Sequence, residues 1–175
     1  ARVAKRKAHI KTHTRARLQP GSRPDIEMYG DRAESALMFM GVHGTRSINV
    51  QPILSSNLRL PTQLAGVHFS GAAFGHGIYF ATDWKKSYGY TGQRNAYYGS
   101  GGGIKNRGFF LFLADVIMGV PHMATSTGSW TKPPRGKDSI AVYPEKCTVI
   151  NDEHVIFNAD PPRLIHEVVP GHIVA

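Results

Sequence analysis

The run Phe74-Gly75-His76-Gly77-Ile78-Tyr79-Phe80-Ala81, continuing through Thr82 to Ser87 and Tyr90, decides how the rest of the chain is read. Glycines at 71, 75 and 77 let the backbone turn sharply or pass a ligand where a Cβ would collide. Ile78 to Ala81 is a buried-strand run, and Thr82 or Asp83 is placed to cap a helix after it. On that helix Ser87 and Tyr90 lie three residues apart, hence on one face, near the end of the strand that carries Tyr79. Two tyrosines with a serine between them make an aromatic slot with a hydrogen-bonding wall, which suits a flat polar ring. A core strand followed by an amphipathic helix with packing tyrosines accounts for the same residues equally well, and the stretch alone does not separate the two.

Upstream, Leu37 to Val42 is a strong apolar strand that delivers His43-Gly44-Thr45-Arg46 at its end. Gly44 permits close backbone approach and His43 bonds through either ring nitrogen, although a single histidine at a strand tip is more often structural. Ser47 to Asn57 reads as a helix with Ile48, Ile53 and Leu54 as its apolar face, Ser47 or Asn49 as its cap and Pro52 in its first turn. Leu58-Arg59-Leu60 follows as a short extended piece. The loop Pro61 to Gly71 is then placed to lie over the slot as a lid.

Downstream, Thr91 to Gly108 is a long loop; its Gly99–Gly103 run is not a phosphate loop, because no Gly-Lys-Ser/Thr follows. Phe109 to Met118 is a central strand, ended by Gly119 and Pro121. Met123 to Lys137 is another loop. Strands are expected at Ser139–Tyr143, Cys147–Ile150, Glu153–Phe157 after a turn at Asn151-Asp152, and Arg163–Val169. Asp25 to Ala36 reads as a short helix. Many strands with few helices and no strand–helix alternation give an α+β class and argue against a doubly wound sheet. Glu153 begins a mostly apolar strand, which places it at a sheet edge facing a cleft. There it accepts hydrogen bonds from sugar hydroxyls and stabilises nearby positive charge; a solvent-facing glutamate after a turn fits the same pattern.

At 175 residues the chain fits one domain with a sizeable core. One cysteine, Cys147, excludes an internal disulfide and argues against a cysteine-based zinc site, which favours an intracellular setting. No apolar run is long enough for a membrane span. The net charge of +9 is uneven. Residues 1–23 carry eight Lys and Arg and no acid, against thirteen basic and twelve acidic side chains in the remainder. Residues 1–24 therefore read as a flexible basic arm, either a nucleic-acid contact or a solvated linker, and residues 25–175 as the folded domain. The chain opens on Ala1 and not Met, which reads as a piece of a longer protein.

Taken in order and spacing, these pieces resemble the catalytic domain of the poly(ADP-ribose) polymerases, the diphtheria-toxin-like ADP-ribosyltransferases with a His-Tyr-Glu triad. His43-Gly44-Thr45 resembles the family's His-Gly-Ser/Thr, with Asn49 at its downstream asparagine; Ile53-Leu54 with Leu58-Arg59 resembles its Ile-Leu…Gly-Leu-Arg segment. Phe74–Ala81 is similar to its Phe-Gly-x-Gly-Ile-Tyr-Phe-Ala signature, and Lys86, Ser87 and Tyr90 fall on its Lys-Ser-x-x-Tyr. Asp152–Phe157 is similar to its Asn-Glu-Tyr-Ile-Val-Tyr strand. The resemblance runs from about Leu37 to Val169.

That resemblance implies two packed, mainly antiparallel sheets with short flanking helices. It implies NAD as co-substrate, with no metal, and a transferase that releases nicotinamide and elongates poly(ADP-ribose), in the setting of DNA damage. Glu153, His43 and Tyr79 would be catalytic. Gly44 and Ser87 would grip the carboxamide and Tyr79 and Tyr90 sandwich the ring. His43 would hold the adenine-side ribose, with Arg59 and Asn49 at the adenosine end and Thr45, Ala81 and Lys86 also on NAD. The partners implied are protein or nucleic-acid acceptors, including the chain itself, with DNA or RNA contact through residues 1–23 and no membrane, and the location implied is the nucleus in a eukaryote and the cytoplasm otherwise. Two other readings share these motifs, a mono-ADP-ribosylating effector or toxin and an inactive nucleic-acid-binding relative. The chain departs from the family pattern at Thr45 for Ser, Asn57 for Gly and His154 for Tyr. Ser139–Tyr143 lacks the glycine of the family's acceptor-side segment.

Overall fold

The computed structural model describes residues 16–17, 37–64, 71–92, 108–158 and 165–172. Most of the basic arm, the helix expected at Asp25–Ala36, the lid segment 65–70 and the loop 93–107 lie outside the described residues.

Among the described residues eight strands form two four-stranded sheets. The first has the order β1-β2-β4-β8, from Ala16–Arg17 (β1), Leu37–Gly44 (β2), Gly108–Gly119 (β4) and Ile165–His172 (β8). The second has the order β3-β7-β6-β5, from Ile78–Phe80 (β3), Glu153–Ile156 (β7), Ser139–Val142 (β6) and Pro121–Met123 (β5). Every neighbouring pair is antiparallel except β5 with β6. β4 is long and nearly continuously apolar because it is a central strand with side chains buried on both faces. Phe39, Phe80, Val116, Met118 and Ile156 pack between the sheets, while Phe74, Ile140, Val142 and Val155 fill a second cluster. Burying a side chain of this size stabilises the fold by about 1.5–3 kcal/mol.

The two sheets touch at one backbone junction. Val42 N–H donates to Ala81 O at 2.9 Å and Ala81 N–H donates to Val42 O at 3.0 Å. This brings the end of β2 beside the end of β3, and the cleft opens there.

Several sequence expectations change. Cys147–Ile150 is a turn and not a strand: the N–H groups of Lys146 and Cys147 both donate to Tyr143 O, which curls the chain while Cys147 drops into the second cluster. Pro121 starts a strand that the loop reading missed, since a proline is tolerated at the first position of an edge strand. Ser47–Asn49 is a 3-10 turn that leads into helix α1, Val50–Ser56. Neither Ser47 nor Asn49 caps it through a side chain, and its expected apolar face is open, with Ile48 76% and Leu54 59% exposed. Leu58–Leu60 joins no sheet and lays Leu58 and Leu60 against the core. Among the described residues no helix is long and apolar enough to cross a membrane.

Asn57 ends α1 at φ 68°, ψ 174°, a region that only glycine enters without strain. Glycine, which the resemblance leads one to expect at this position, would enter that region freely. Asn57 Oδ1 partly offsets the strain by accepting Leu58 N–H at 2.8 Å. Asn57→Ala keeps the strain and loses the bond, so it is expected to cost about 0.5–1.5 kcal/mol, a fall in Tm of about 2–4 °C per kcal/mol. Asn57→Gly is expected to stay within about 1 kcal/mol of the parent, and thermal unfolding of the two variants checks the contrast.

Candidate active site

Helix α2, Trp84–Tyr88, starts directly after β3. Asp83 caps it, its Oδ1 accepting Lys85 N–H at 3.0 Å, and Thr82 is used elsewhere. The helix ends before Tyr90, yet Tyr90 N–H still donates to Ser87 O at 3.1 Å, so the turn carries Tyr90 round to the side of Ser87.

Every site residue named from the sequence lines one cleft of about 350 Å³. His43, Gly44 and Thr45 come from the end of β2, and Asn49 and Arg59 from either side of α1. Tyr79 comes from β3 and Ala81 from just past its end, Lys86, Ser87 and Tyr90 from α2 and the turn beyond it, and Glu153 from β7. Glu153 is not on a sheet edge as expected: β7 lies between β3 and β6, and Glu153 faces the cleft because it is the strand's first residue. Sequence reasoning named no role on the ligand for Arg46, Ile53 and Ser56, which line the same cleft, while Leu64 and Gly71, which also line it, fall in the loop expected to lie over the slot. Of those three, Arg46 stands next to the His-Gly-Thr run and Ile53 in the Ile-Leu segment, and Ser56 carried no signal.

His43 Nδ1 lies 2.9 Å from the Tyr79 carbonyl oxygen, to which it donates, leaving Nε2 as the acceptor. Phe80 and Phe112 flank its ring at 5.8 and 6.4 Å. Burial lowers its pKa below 6.5, the Tyr79 carbonyl opposing this, so His43 is neutral at pH 7.

The Tyr79 hydroxyl donates to Gly75 O at 2.8 Å and accepts Phe74 N–H at 3.0 Å. Burial pushes its phenol well above the usual range, with the Phe74 amide opposing and the Glu153 charge adding, so it stays protonated. The loop that holds it is braced in turn by Trp130, whose carbonyl accepts His76 N–H at 2.8 Å and whose ring stacks on Phe74. Gly75, at φ 91°, passes so near that a Cβ would stand 2.0 Å from Trp130 O.

Ser87 is buried, and its hydroxyl donates to Val42 O at 2.7 Å. With that proton engaged, its oxygen is left to act as an acceptor. Lys86 Nζ and Glu153 Oε1 form an ion pair with both side chains largely covered. Asn49 Nδ2 donates to Thr45 Oγ1 at 2.9 Å, so these two residues hold each other at the rim. Thr82 Oγ1 donates to Asp152 Oδ2 at 2.6 Å, and His154 Nε2 is 3.1 Å from the same oxygen. Although burial works against it, these bonds hold the Asp152 carboxyl below its ordinary range. His154 faces away from the cleft, as the strand period requires, with Phe39 4.3 Å from its ring. β6 is wholly buried and Ser139 Oγ donates to Met118 O, so this segment presents no free side chain to an acceptor. Among the described residues no cluster of His, Cys, Asp and Glu has a metal-holding arrangement.

Residues 21–163 match the family model of the poly(ADP-ribose) polymerase catalytic domain. A poly(ADP-ribose) polymerase-like protein of Invertebrate iridescent virus 6 is 44% identical over 54 residues, 31% of this chain and 29% of that one. Poly(ADP-ribose) polymerase 1 of Xenopus laevis is 37% identical over 98 residues, 56% of this chain and 9% of that protein. Protein mono-ADP-ribosyltransferase PARP3 of Homo sapiens is 36% identical over 99 residues, 56% and 16% of the two. The chain thus matches less than a third of the length of each of these relatives.

Two expectations follow from the geometry. A Cβ on Gly44 would sit 1.7 Å from Ser87 O, so Gly44→Ala must push α2 away from β2. Overpacking of this kind costs about 1–3 kcal/mol, and thermal unfolding with ligand titration should show both the loss and the opened cleft. Second, the unfolded chain takes a proton on His43 near pH 6.5 while the fold resists it. The His43 contribution to stability is therefore full above pH 6.5 and is lost as pH falls through its lowered folded value. Urea unfolding from pH 7.5 downward should show this slope, and His43→Gln should flatten it.

Proposed function

We propose, because the chain belongs to the poly(ADP-ribose) polymerase catalytic-domain family and has its ADP-ribosyltransferase fold, that it transfers ADP-ribose from NAD to an acceptor. The observation that carries this reading is the meeting of His43, Tyr79 and Glu153 with Gly44, Ser87 and Tyr90 on one cleft. The cleft suits a dinucleotide: residues before, within and after α1 line it, and Arg46, Arg59 and Lys86 give it more positive than negative side chains for a pyrophosphate.

In the reaction the bond between ribose C1′ and the nicotinamide nitrogen breaks. Its electron pair passes to the ring nitrogen and cancels the pyridinium charge, while positive charge builds on the ribose. The acceptor oxygen then bonds to C1′ and its proton is released. Glu153 accepts a ribose hydroxyl and stabilises the developing charge, a role in which a fixed carboxylate is worth several kcal/mol. The neutral His43 offers Nε2 to a ribose hydroxyl at the other end. Tyr79, kept protonated by burial and held in place by two loop bonds, is a rigid wall for the ring, and Tyr90 is the opposite wall. Lys86 fixes the Glu153 side chain before substrate arrives.

The retained glutamate favours chain elongation, with protein acceptors that include the chain itself. A mono-transfer reading has its own support, from the changed segment Ser139–Tyr143 and from a relative named as a mono-ADP-ribosyltransferase. Product length on a gel, from purified protein with labelled NAD, separates the two. The basic residues 1–23 suit a phosphate backbone, and their deletion should remove salt-sensitive DNA or RNA binding while NAD turnover persists. The central test is nicotinamide release: Glu153→Ala is expected to lower kcat by about 10²–10³-fold. Tyr90→Ala should raise the KM for NAD by about two- to tenfold. Equal release by Glu153→Ala and the parent would sink the enzymatic reading.

A further inference from the structure

The ladder between β3 and β7 runs Ile78↔Ile156, Tyr79↔Val155 and Phe80↔His154, and there it stops. Carried on, it would pair Ala81 with Glu153 and then Thr82 with Asp152. Ala81 instead gives both backbone groups to Val42 of the other sheet. Glu153 keeps a ladder partner on one side only, Val142 of β6. The two strands therefore part at the residue that carries the carboxylate, which opens the cleft and leaves that carboxylate on a half-supported strand end.

One position past the split, side chains close the gap. Thr82 Oγ1 donates to Asp152 Oδ2 at 2.6 Å, and His154 Nε2 reaches the same oxygen at 3.1 Å. His154 is 5% exposed, with the rings of Phe39 and Tyr143 at 4.3 and 5.6 Å, so it cannot follow Asp152 outward. Thr82 leads directly into capped α2, which carries Lys86 and Ser87.

We infer that Thr82, Asp152 and His154 form a positioning clamp that rejoins β3 to β7 beyond the split and sets Glu153 against Lys86 and Ser87. The clamp ends one residue from Glu153 and four from Lys86, so its bond fixes the distance the ion pair spans. None of the three is a catalytic residue. They act through the placement of Glu153, where a shift of about 1 Å is enough to cost about a hundredfold in rate. The inference rests on the proposed role of Glu153 in ADP-ribosyl transfer.

Thr82→Val removes the hydroxyl at constant shape, and Thr82→Ser restores it. Steady-state nicotinamide release by the 175-residue chain, with Tm measured alongside, reads the outcome. Thr82→Val is expected to lower kcat about tenfold or more with KM for NAD changed less than about twofold, and Thr82→Ser to recover most of the rate. If the valine variant does not fold, Asp152→Ala breaks the same bond from its other end and should show the same loss confined to kcat. Parent-level kcat in the valine or alanine variant, or kcat and KM worsening together without rescue by serine, overturns the clamp. If the parent itself releases no more nicotinamide than Glu153→Ala, the transferase reading fails first and the clamp falls with it. A parent that is active with an inert Glu153→Ala and an unaffected Thr82→Val overturns the clamp alone.

Discussion

The pair of backbone hydrogen bonds between Val42 and Ala81 is the constraint on which the rest of the structure depends. Each such bond is worth only about 1 kcal/mol net, so their importance lies in geometry. They join by backbone two sheets that otherwise meet through side chains. By taking Ala81 away from β7 they leave room beside Glu153, and by holding Val42 they fix where His43 and Gly44 emerge from β2. The Val42 carbonyl receives Ser87 as well as Ala81, which draws α2 onto the same junction. The bond from His43 to the Tyr79 carbonyl is a second stitch one residue further out. Residues far apart in the chain thus meet because one strand end was diverted.

Much of this was legible in the sequence, and for identifiable reasons. The strands at 37–44, 108–119, 139–142 and 153–156 announce themselves as apolar runs because they are buried on one or both faces. The cleft residues were legible from the order and spacing of short motifs and not from periodicity; His43 or Glu153 alone reads as structural. What stayed hidden depends on partners far along the chain. Cys147–Ile150 has strand composition, yet the Tyr143 carbonyl captures its backbone. Ile48 and Leu54 look like a buried face, but nothing among the described residues covers them. Thr82 reads as a cap, and only the fold shows that Asp152, 70 residues on, has claimed its hydroxyl.

The charge states within the cleft follow from the same burial. His43 is held neutral and Tyr79 protonated, so the cleft walls near the slot carry hydrogen-bonding groups without net charge. The Lys86–Glu153 pair stands among them with little water to screen it. A half-enclosed ion pair beside neutral walls is an environment in which a carboxylate keeps a strong field, because nearby dipoles are fixed and few waters remain to reorient.

Trp130 gives the chain a particular order of assembly. The loop that seats Tyr79 is closed by a backbone carbonyl that arrives more than fifty residues later, and its neighbour strand later still. Contacts so distant in sequence form late, since the intervening chain must be ordered before they are rewarded. A nascent chain that has emerged only through β4 already contains His43, Tyr79 and Ser87, yet has neither the brace for Tyr79 nor Glu153. A chain that ends after β4 therefore carries the motif without the site.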